Sequence, residues 1–297
     1  MEVELKLLIA PTDVAAFRRL ALLRQFTTEK PRSLELRGTY FDTPQFRLKS
    51  RGMQLRVRRA EGVWIETLKA EEQPLAGLFG RQEWETRVDG PQPDLAALAA
   101  LVGAGSKWHK ALIEPALAKG LTPIFDSVFR RTVWPLHLPQ GTFIELVLDQ
   151  GELRCGDVRE PISELELELK AGEPAALLDF ALQLQAKVAL RVGNLSKSAR
   201  GYALCTPKAA SATVASSFEL PSDMTVEQGF RAIVSHCVTQ MQDNESGVVG
   251  SNDPENVHQM RIGMRRLHSA LRLFHKWVLF PVALQGELDW LGAIRAS

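Results

Sequence analysis

Met1-Glu2-Val3-Glu4-Leu5-Lys6-Leu7 opens the chain. On an extended backbone Glu2, Glu4 and Lys6 point one way and Val3, Leu5 and Leu7 the other, so the period of two predicts a β-strand with unlike faces. The pattern returns at Ser163-Glu164-Leu165-Glu166-Leu167-Glu168-Leu169-Lys170, where Glu164, Glu166, Glu168 and Lys170 share a face. Two such strands side by side concentrate up to five carboxylates, and like charges at close range repel unless cations lie between them. Hard divalent cations such as Mg²⁺ or Mn²⁺ take oxygen ligands. From these stretches alone, a metal site and a pair of solvated sheet edges are equally good readings.

The neighbouring segments tip the balance. Met53-Gln54-Leu55-Arg56-Val57-Arg58-Arg59 alternates with basic residues, Gln54, Arg56 and Arg58 sharing one face. Val63 to Lys69 follows across Glu61-Gly62, a hairpin signal. Arg81 to Arg87 is a further charged strand, and Ile124 to Trp134 another, containing Arg130 and Arg131. Leu34 to Phe41 is strand-like. Thr142 to Asp149 reads as a strand ending in a turn at Asp149-Gln150-Gly151-Glu152, with Leu153 to Val158 completing the hairpin. Short helices are expected after Pro11-Thr12-Asp13, over Leu95 to Leu101 and over Lys110 to Leu117, and a longer one from Pro174 to Leu190.

About eight strands result, many with charge on the face that a closed ring would turn inward, while helices cover the apolar outside. Such an interior cannot be a dry core, because unpaired buried charge costs several kcal/mol per ion. A wet passage holding a charged ligand fits. Arg56, Arg58, Lys69, Arg130 and Lys197 suit a polyanion, and the acidic cluster suits metals bridging to it. Trp64, Trp84, Trp108 and Trp134 read as packing residues.

The composition shifts near residue 206, and 206–217 reads as a linker rich in Ala, Ser, Thr and Val. Beyond it, Val226, Phe230, Ile233, Cys237 and Met241 follow helical spacing, residues 244–252 read as a loop, and Pro254 opens a second helix. There His258, Arg261, Arg265, His268 and Arg272 form a cationic stripe without an acidic partner four residues away, which suits an anion such as phosphate. Two and a half helices make a poor bundle, so this module reads as incomplete.

Lys plus Arg number 36 and Asp plus Glu 35, so net charge says little about partners. Cys155, Cys205 and Cys237 stand far apart in no metal-ligand spacing, as for separate small side chains in a reducing compartment. With no apolar run of membrane-spanning length and no secretory leader pattern, the expectation is a cytoplasmic protein with neither a membrane nor a nucleic acid as partner.

The motifs together resemble a known family. Glu2-x-Glu4-x-Lys6 is similar to the ExExK signature of the CYTH domain, the triphosphate tunnel metalloenzymes. In family order follow Tyr40-Phe41-Asp42-Thr43-Pro44, Leu55-Arg56-Val57-Arg58, Thr67-Leu68-Lys69, Glu83-x-Glu85, Glu145 to Gly151, Glu164 to Leu169, and Ser196-Lys197-Ser198-Ala199-Arg200-Gly201-Tyr202. The second region, with Val257-His258-x-x-Arg261 and Arg265-Arg266-Leu267, resembles the start of a CHAD domain.

The resemblance implies an α+β chain: an eight-stranded antiparallel β-barrel tunnel with flanking helices over residues 1–205, a linker, and the start of a CHAD-like α-helical domain over 218–297. It implies hydrolysis of inorganic triphosphate with Mg²⁺ or Mn²⁺. Glu2, Glu4, Glu85, Asp149, Glu166 and Glu168 would be metal ligands, with Glu164 at the rim. Lys6, Arg56, Arg58, Lys69, Arg130, Lys197 and Arg200 would grip phosphate. Glu4, Lys6, Arg56, Arg58, Lys69 and Asp149 form the expected catalytic set. The family equally includes class IV adenylate cyclases and thiamine triphosphatases. A non-catalytic polyphosphate-binding protein is the competing class, and the helical stripe is the expected contact for long-chain polyphosphate.

Overall fold

The computed structural model describes the backbone of residues 2–27, 29–71, 78–206, 212–215, 217, 219–250 and 253–293, and the side chains of all of these except 2, 71, 78–81, 283, 292 and 293. Half of the expected linker, 206–217, lies outside the described residues. The chain divides into two compact units, 1–207 and 208–297.

The first unit is built on nine strands: β1 (Glu2–Ile9), β2 (Arg32–Asp42), β3 (Met53–Ala60), β4 (Val63–Glu71), β5 (Leu78–Val88), β6 (Thr122–His137), β7 (Phe143–Cys155), β8 (Val158–Ala171) and β9 (Leu190–Val192). Their order is β5-β4-β3-β2-β6-β7-β8-β1-β9, with every pairing antiparallel. Residues 2–5 of β1 pair back onto 78–81 of β5, which closes eight strands into a ring. Beyond that overlap the edge of β1 at Leu7–Ile9 takes β9 as partner. This is one strand more than expected, and it begins at Leu190, where the expected helix ended; α6 (Pro174–Gln185) stops five residues earlier.

Two apolar layers wrap the outside of the ring. One joins Leu5, Leu7, Trp134, Leu146, Leu165 and Leu167 to Phe17 of α1 (Val14–Phe17), Leu23 of α2 (Ala21–Phe26) and Phe180 of α6. The other packs Met53, Leu55, Val57 and Leu68 beneath α3 (Leu95–Val102), α4 (Lys107–Leu112) and α5 (Pro115–Gly120), with Trp64, Trp84 and Trp108 at its edge. The single helix expected from Lys110 to Leu117 is broken because Pro115 starts a new one and has no N–H to continue the old. Leu165 and Leu167 are fully buried; truncating either to Ala costs about 2–5 kcal/mol.

The β7 strand corrects the sequence reading. Asp149-Gln150-Gly151-Glu152 is not a turn; the strand runs straight through to Cys155, and the reversal lies at Gly156, whose φ is 56°. Gly151 is there for closeness. A Cβ on it would sit 2.1 Å from the carbonyl oxygen of Val128, so the β6 backbone fits only against glycine. Asp149 therefore stays in register on an inward-facing strand.

The cysteines also depart from expectation. Cys155, at the end of β7, and Cys205, at the end of α7 (Lys197–Cys205), form a disulfide with Cα atoms 5.5 Å apart, while Cys237 is free and buried.

The second unit comprises α8 (Val226–Gly250), α9 (Pro254–Phe274) and α10 (Val282–Ala293). The loop expected over 244–252 is helical as far as Gly250. Asn244 does not end the helix because it is fully buried, donating to the Gln240 carbonyl and exchanging hydrogen bonds with Thr213. Gln240 and Gln259 extend this polar contact between α8 and α9. No helix among the described residues is long and apolar enough to cross a membrane.

Candidate active site

A cavity of about 610 Å³ lies inside the ring. Its walls carry Lys6, Arg32, Arg56, Arg58, Lys69, Arg131, Lys170 and Lys197, and opposite them in sign Glu4, Glu83, Glu85, Glu145, Glu166 and Glu168. Strand register builds the acidic wall. Glu145, Glu168 and Glu4 lie side by side across β7, β8 and β1; the next inward row is Val147, Glu166 and Lys6; the next sets Asp149 opposite Glu164.

Asp149, Glu164 and Glu166 converge, with one carboxylate oxygen from each within 4.8 Å of the others. Three hard oxygen donors at this spacing are a donor set that fits Mg²⁺ or Mn²⁺. Cations of the chain knit the set together. Lys6 Nζ donates to Glu164 at 2.6 Å and to Glu166. Arg131 clamps Asp149 and also reaches Glu166. Lys197 Nζ lies 2.6 Å from Asp149, 2.5 Å from Glu164 and 2.8 Å from Glu166. Burial pushes the Glu166 carboxyl up, yet Lys197, Lys6 and Arg131 hold it well below the usual carboxylate range. Burial likewise disfavours the Lys197 ammonium, and the three carboxylates overcome this and raise it.

The helix α7 delivers Lys197. Ser196 caps it by accepting from the Ala199 N–H, and Ser198 bonds Gln54 across the cavity wall. Two side chains fix the helix in place. Arg200 binds Glu160, Glu164 and the Pro161 carbonyl. Tyr202 donates at 2.9 Å to Asp42, which also accepts backbone N–H bonds from Thr43, Leu48 and Lys49. Gly201 abuts the Phe125 ring so closely that a Cβ would lie 2.1 Å from it.

The basic wall is looser. Arg58 pairs with Glu85 at 3.0 Å, Lys69 with Glu83 at 2.6 Å, and Arg56 reaches Thr67 at 3.5 Å. The Nε atoms of Arg56 and Arg58 are buried without a hydrogen-bond partner among the described residues, and both residues line the cavity. Burial and the neighbouring Arg56 both lower the Arg58 guanidinium.

Several expectations change. Arg130 points outward and pairs with Glu35 at the surface; Arg131, one residue on, takes the inward place. Arg200 is not on the cavity wall but behind it, holding Glu164. Glu164 is fully buried rather than at the rim, and it converges with Asp149 and Glu166. Glu168 and Glu4 still line the cavity; Glu168 pairs with Lys170, and Glu4 lies 3.9 Å from Lys6. Glu85 stands with Arg58 and Thr67, outside the triad. The Glu2 side chain lies outside the described residues. Arg131 on β6, Arg32 on β2 and Glu145 on β7 also line the cavity, and the sequence assigned none of them a role in the site.

In the helical unit, His258, Arg261, Arg265 and Arg272 are exposed along α9, while His268 bonds the Met264 carbonyl and meets Asp289 of α10 at 3.2 Å.

Comparison with known proteins agrees with this geometry. A CYTH domain model matches residues 1–202, and a CHAD domain model matches 232–295. The inorganic triphosphatase of Haemophilus influenzae is 33% identical over 204 residues, which is 68% of this chain and 54% of that protein. The chain thus spans about half the length of this curated relative. Among solved structures, a Hippeastrum protein described as having a dominant triphosphatase activity aligns with 19% identity, 68% of this chain, 96% of that one and a TM-score of 0.47. A Pyrococcus horikoshii protein aligns with 18% identity, 67% and 97% coverage and a TM-score of 0.42. With the closed ring, its charged interior and the ordered motifs, the chain belongs to the CYTH domain family and carries a CHAD domain match in its second unit.

Proposed function

We propose that the chain hydrolyses inorganic triphosphate to diphosphate and phosphate within its ring, in a metal-dependent reaction. The observation that carries this is a cavity of about 610 Å³ lined by carboxylates and by Arg56, Arg58, Lys69 and Arg131, a size suited to a small ligand. The 33% identity to a protein named as an inorganic triphosphatase supports the substrate.

Asp149, Glu164 and Glu166, with Glu4 and Glu168 at the cavity surface, would hold Mg²⁺ or Mn²⁺. When bound, such an ion neutralises phosphate charge and makes a coordinated water more acidic. The chain's own groups supply the rest. Arg56, Arg58, Lys69 and Arg131 bind and orient the phosphate oxygens and stabilise charge developing on them. Asp149 is fully buried behind the cavity wall, so the proton of the attacking water is assigned to a carboxylate that lines the cavity, Glu4 or Glu168. Release of phosphate from inorganic triphosphate, with and without divalent metal, tests the reading.

One observation favours a second reading. Leu34, Leu36, Tyr40, Phe129, Val133 and Val147 give the cavity an apolar patch, which would suit the organic part of ATP or thiamine triphosphate. The exposed α9 cations would bind long-chain polyphosphate; retention of polyphosphate after their replacement by Ala would rule that out. We place the protein in the cytoplasm, as the absence of an apolar membrane-spanning helix among the described residues allows; the Cys155–Cys205 disulfide is unusual for that compartment.

A further inference from the structure

Lys197 Nζ stands at the one point where the three converging carboxylates meet, within 2.8 Å of an oxygen from each of Asp149, Glu164 and Glu166. It is 8% exposed there, and Asp149 and Glu164 are fully buried. Three buried carboxylates without a central cation would repel one another strongly. A divalent ion drawn to the same oxygens needs the same volume, so ammonium and metal exclude each other. The lysine has a flexible four-carbon stem, and it starts from the first turn of α7 beside Ser196 and Ser198, which line the cavity with it.

We propose that Lys197 is an internal counter-ion that holds the carboxylate triad until a divalent metal displaces it, and that the displaced ammonium then turns into the cavity toward phosphate. This rests on the metal-dependent reading above and adds its order: metal entry frees the lysine for substrate. Lys6 does not serve this way. It contacts Glu164 and Glu166 and is closed off at 1% exposure, with no room to swing into the cavity. Arg200 keeps Glu164 oriented through the exchange from behind the wall, at 2.9 Å.

Two measurements on the full chain test this, with Mn²⁺ as the probe. The first is reductive methylation of lysines, read by peptide mass. The expected result is that Lys197 is protected without metal and labelled several-fold faster at saturating Mn²⁺; equal protection in both conditions overturns the exchange. The second is Mn²⁺ affinity by calorimetry. Lys197→Met, which keeps a side chain of similar length without its charge, should bind Mn²⁺ about tenfold more tightly than the parent, since the metal then has no ammonium to displace from the three carboxylates. Lys69→Met, on the basic wall, should change affinity by less than about twofold. Unchanged or weakened Mn²⁺ binding in Lys197→Met overturns the proposal, while the metal-dependent reading survives. If neither parent nor variant binds Mn²⁺, both fall.

Discussion

Arg131 grips Asp149 with two parallel hydrogen bonds, Nε to Oδ1 at 2.8 Å and Nη2 to Oδ2 at 2.7 Å, and its Nη2 also reaches Glu166. Arg130, its neighbour in sequence, pairs with Glu35 at the surface. Strand parity alone separates these roles, and it sets the first prediction. Arg131→Ala leaves Asp149 with one cation fewer in a buried cluster and should cost about 3 kcal/mol of unfolding free energy. Arg130→Ala should stay within about 0.5 kcal/mol of the parent, since an exposed pair contributes little. Urea denaturation of both variants decides; equal losses would mean that the faces of β6 are assigned wrongly.

The same pair shows what a reader of the sequence can and cannot reach. The alternation of Glu2 to Lys6 and of Glu164 to Lys170 sufficed for β1 and β8 as strands with unlike faces, while the ring and its charged lining needed the other charged strands and the family resemblance as well. Adjacent arginines carry no such signal; which one faces inward depends on the register of β6 against β7. Gly151 looked like a turn because glycine usually marks one, whereas here it admits a neighbouring backbone. Glu164 ended a run and so looked peripheral, until α7 closed over it with Lys197 and Arg200. The disulfide spans 50 residues, a contact that spacing does not disclose.

The helix that delivers Lys197 is anchored by the Tyr202 to Asp42 hydrogen bond. Burial, together with the Asp42 carboxylate, raises the Tyr202 hydroxyl far above its ordinary value, so it stays a donor. Tyr202→Phe should cost about 2 kcal/mol, as expected for a lost bond to a buried charge, and lower Tm by about 4–8 °C. A calorimetric scan showing no change would remove this contact from the account of how α7 is held.

Glu66 offers a pH signature outside the cavity. It is sealed beneath the start of α3, accepts from the Asp94 N–H, and leaves Oε1 buried without a partner among the described residues. Burial raises its carboxyl from 4.5 to about 7. The folded chain then holds this proton more tightly than the unfolded chain. Its stabilising contribution is therefore complete below about pH 4.5 and is lost as pH rises to 7, by about 3 kcal/mol. Glu66→Gln should flatten that slope and gain stability relative to the parent at pH 8. Parallel parent and variant curves from pH 4.5 to 8 would contradict it.

The Cys155–Cys205 bond ties the far end of α7 to β7. Closing a loop of 50 residues restricts the unfolded chain by about 4 kcal/mol, so dithiothreitol should lower the denaturation midpoint, and Cys205→Ser should make that midpoint insensitive to reductant. An oxidised parent whose midpoint ignores dithiothreitol would show that the bond does not support the fold.

The central claim is chemical, and phosphate release tests it directly. Inorganic triphosphate, ATP and thiamine triphosphate are each incubated with the chain in Mg²⁺, Mn²⁺ or chelator, beside Glu4→Gln, whose side chain lines the cavity. The account predicts rapid release from inorganic triphosphate that chelator abolishes, with Glu4→Gln slower by about a hundredfold or more. Turnover of only the organic triphosphates would move the substrate to the apolar patch. Release that persists in chelator, or none from any of the three, would contradict the account.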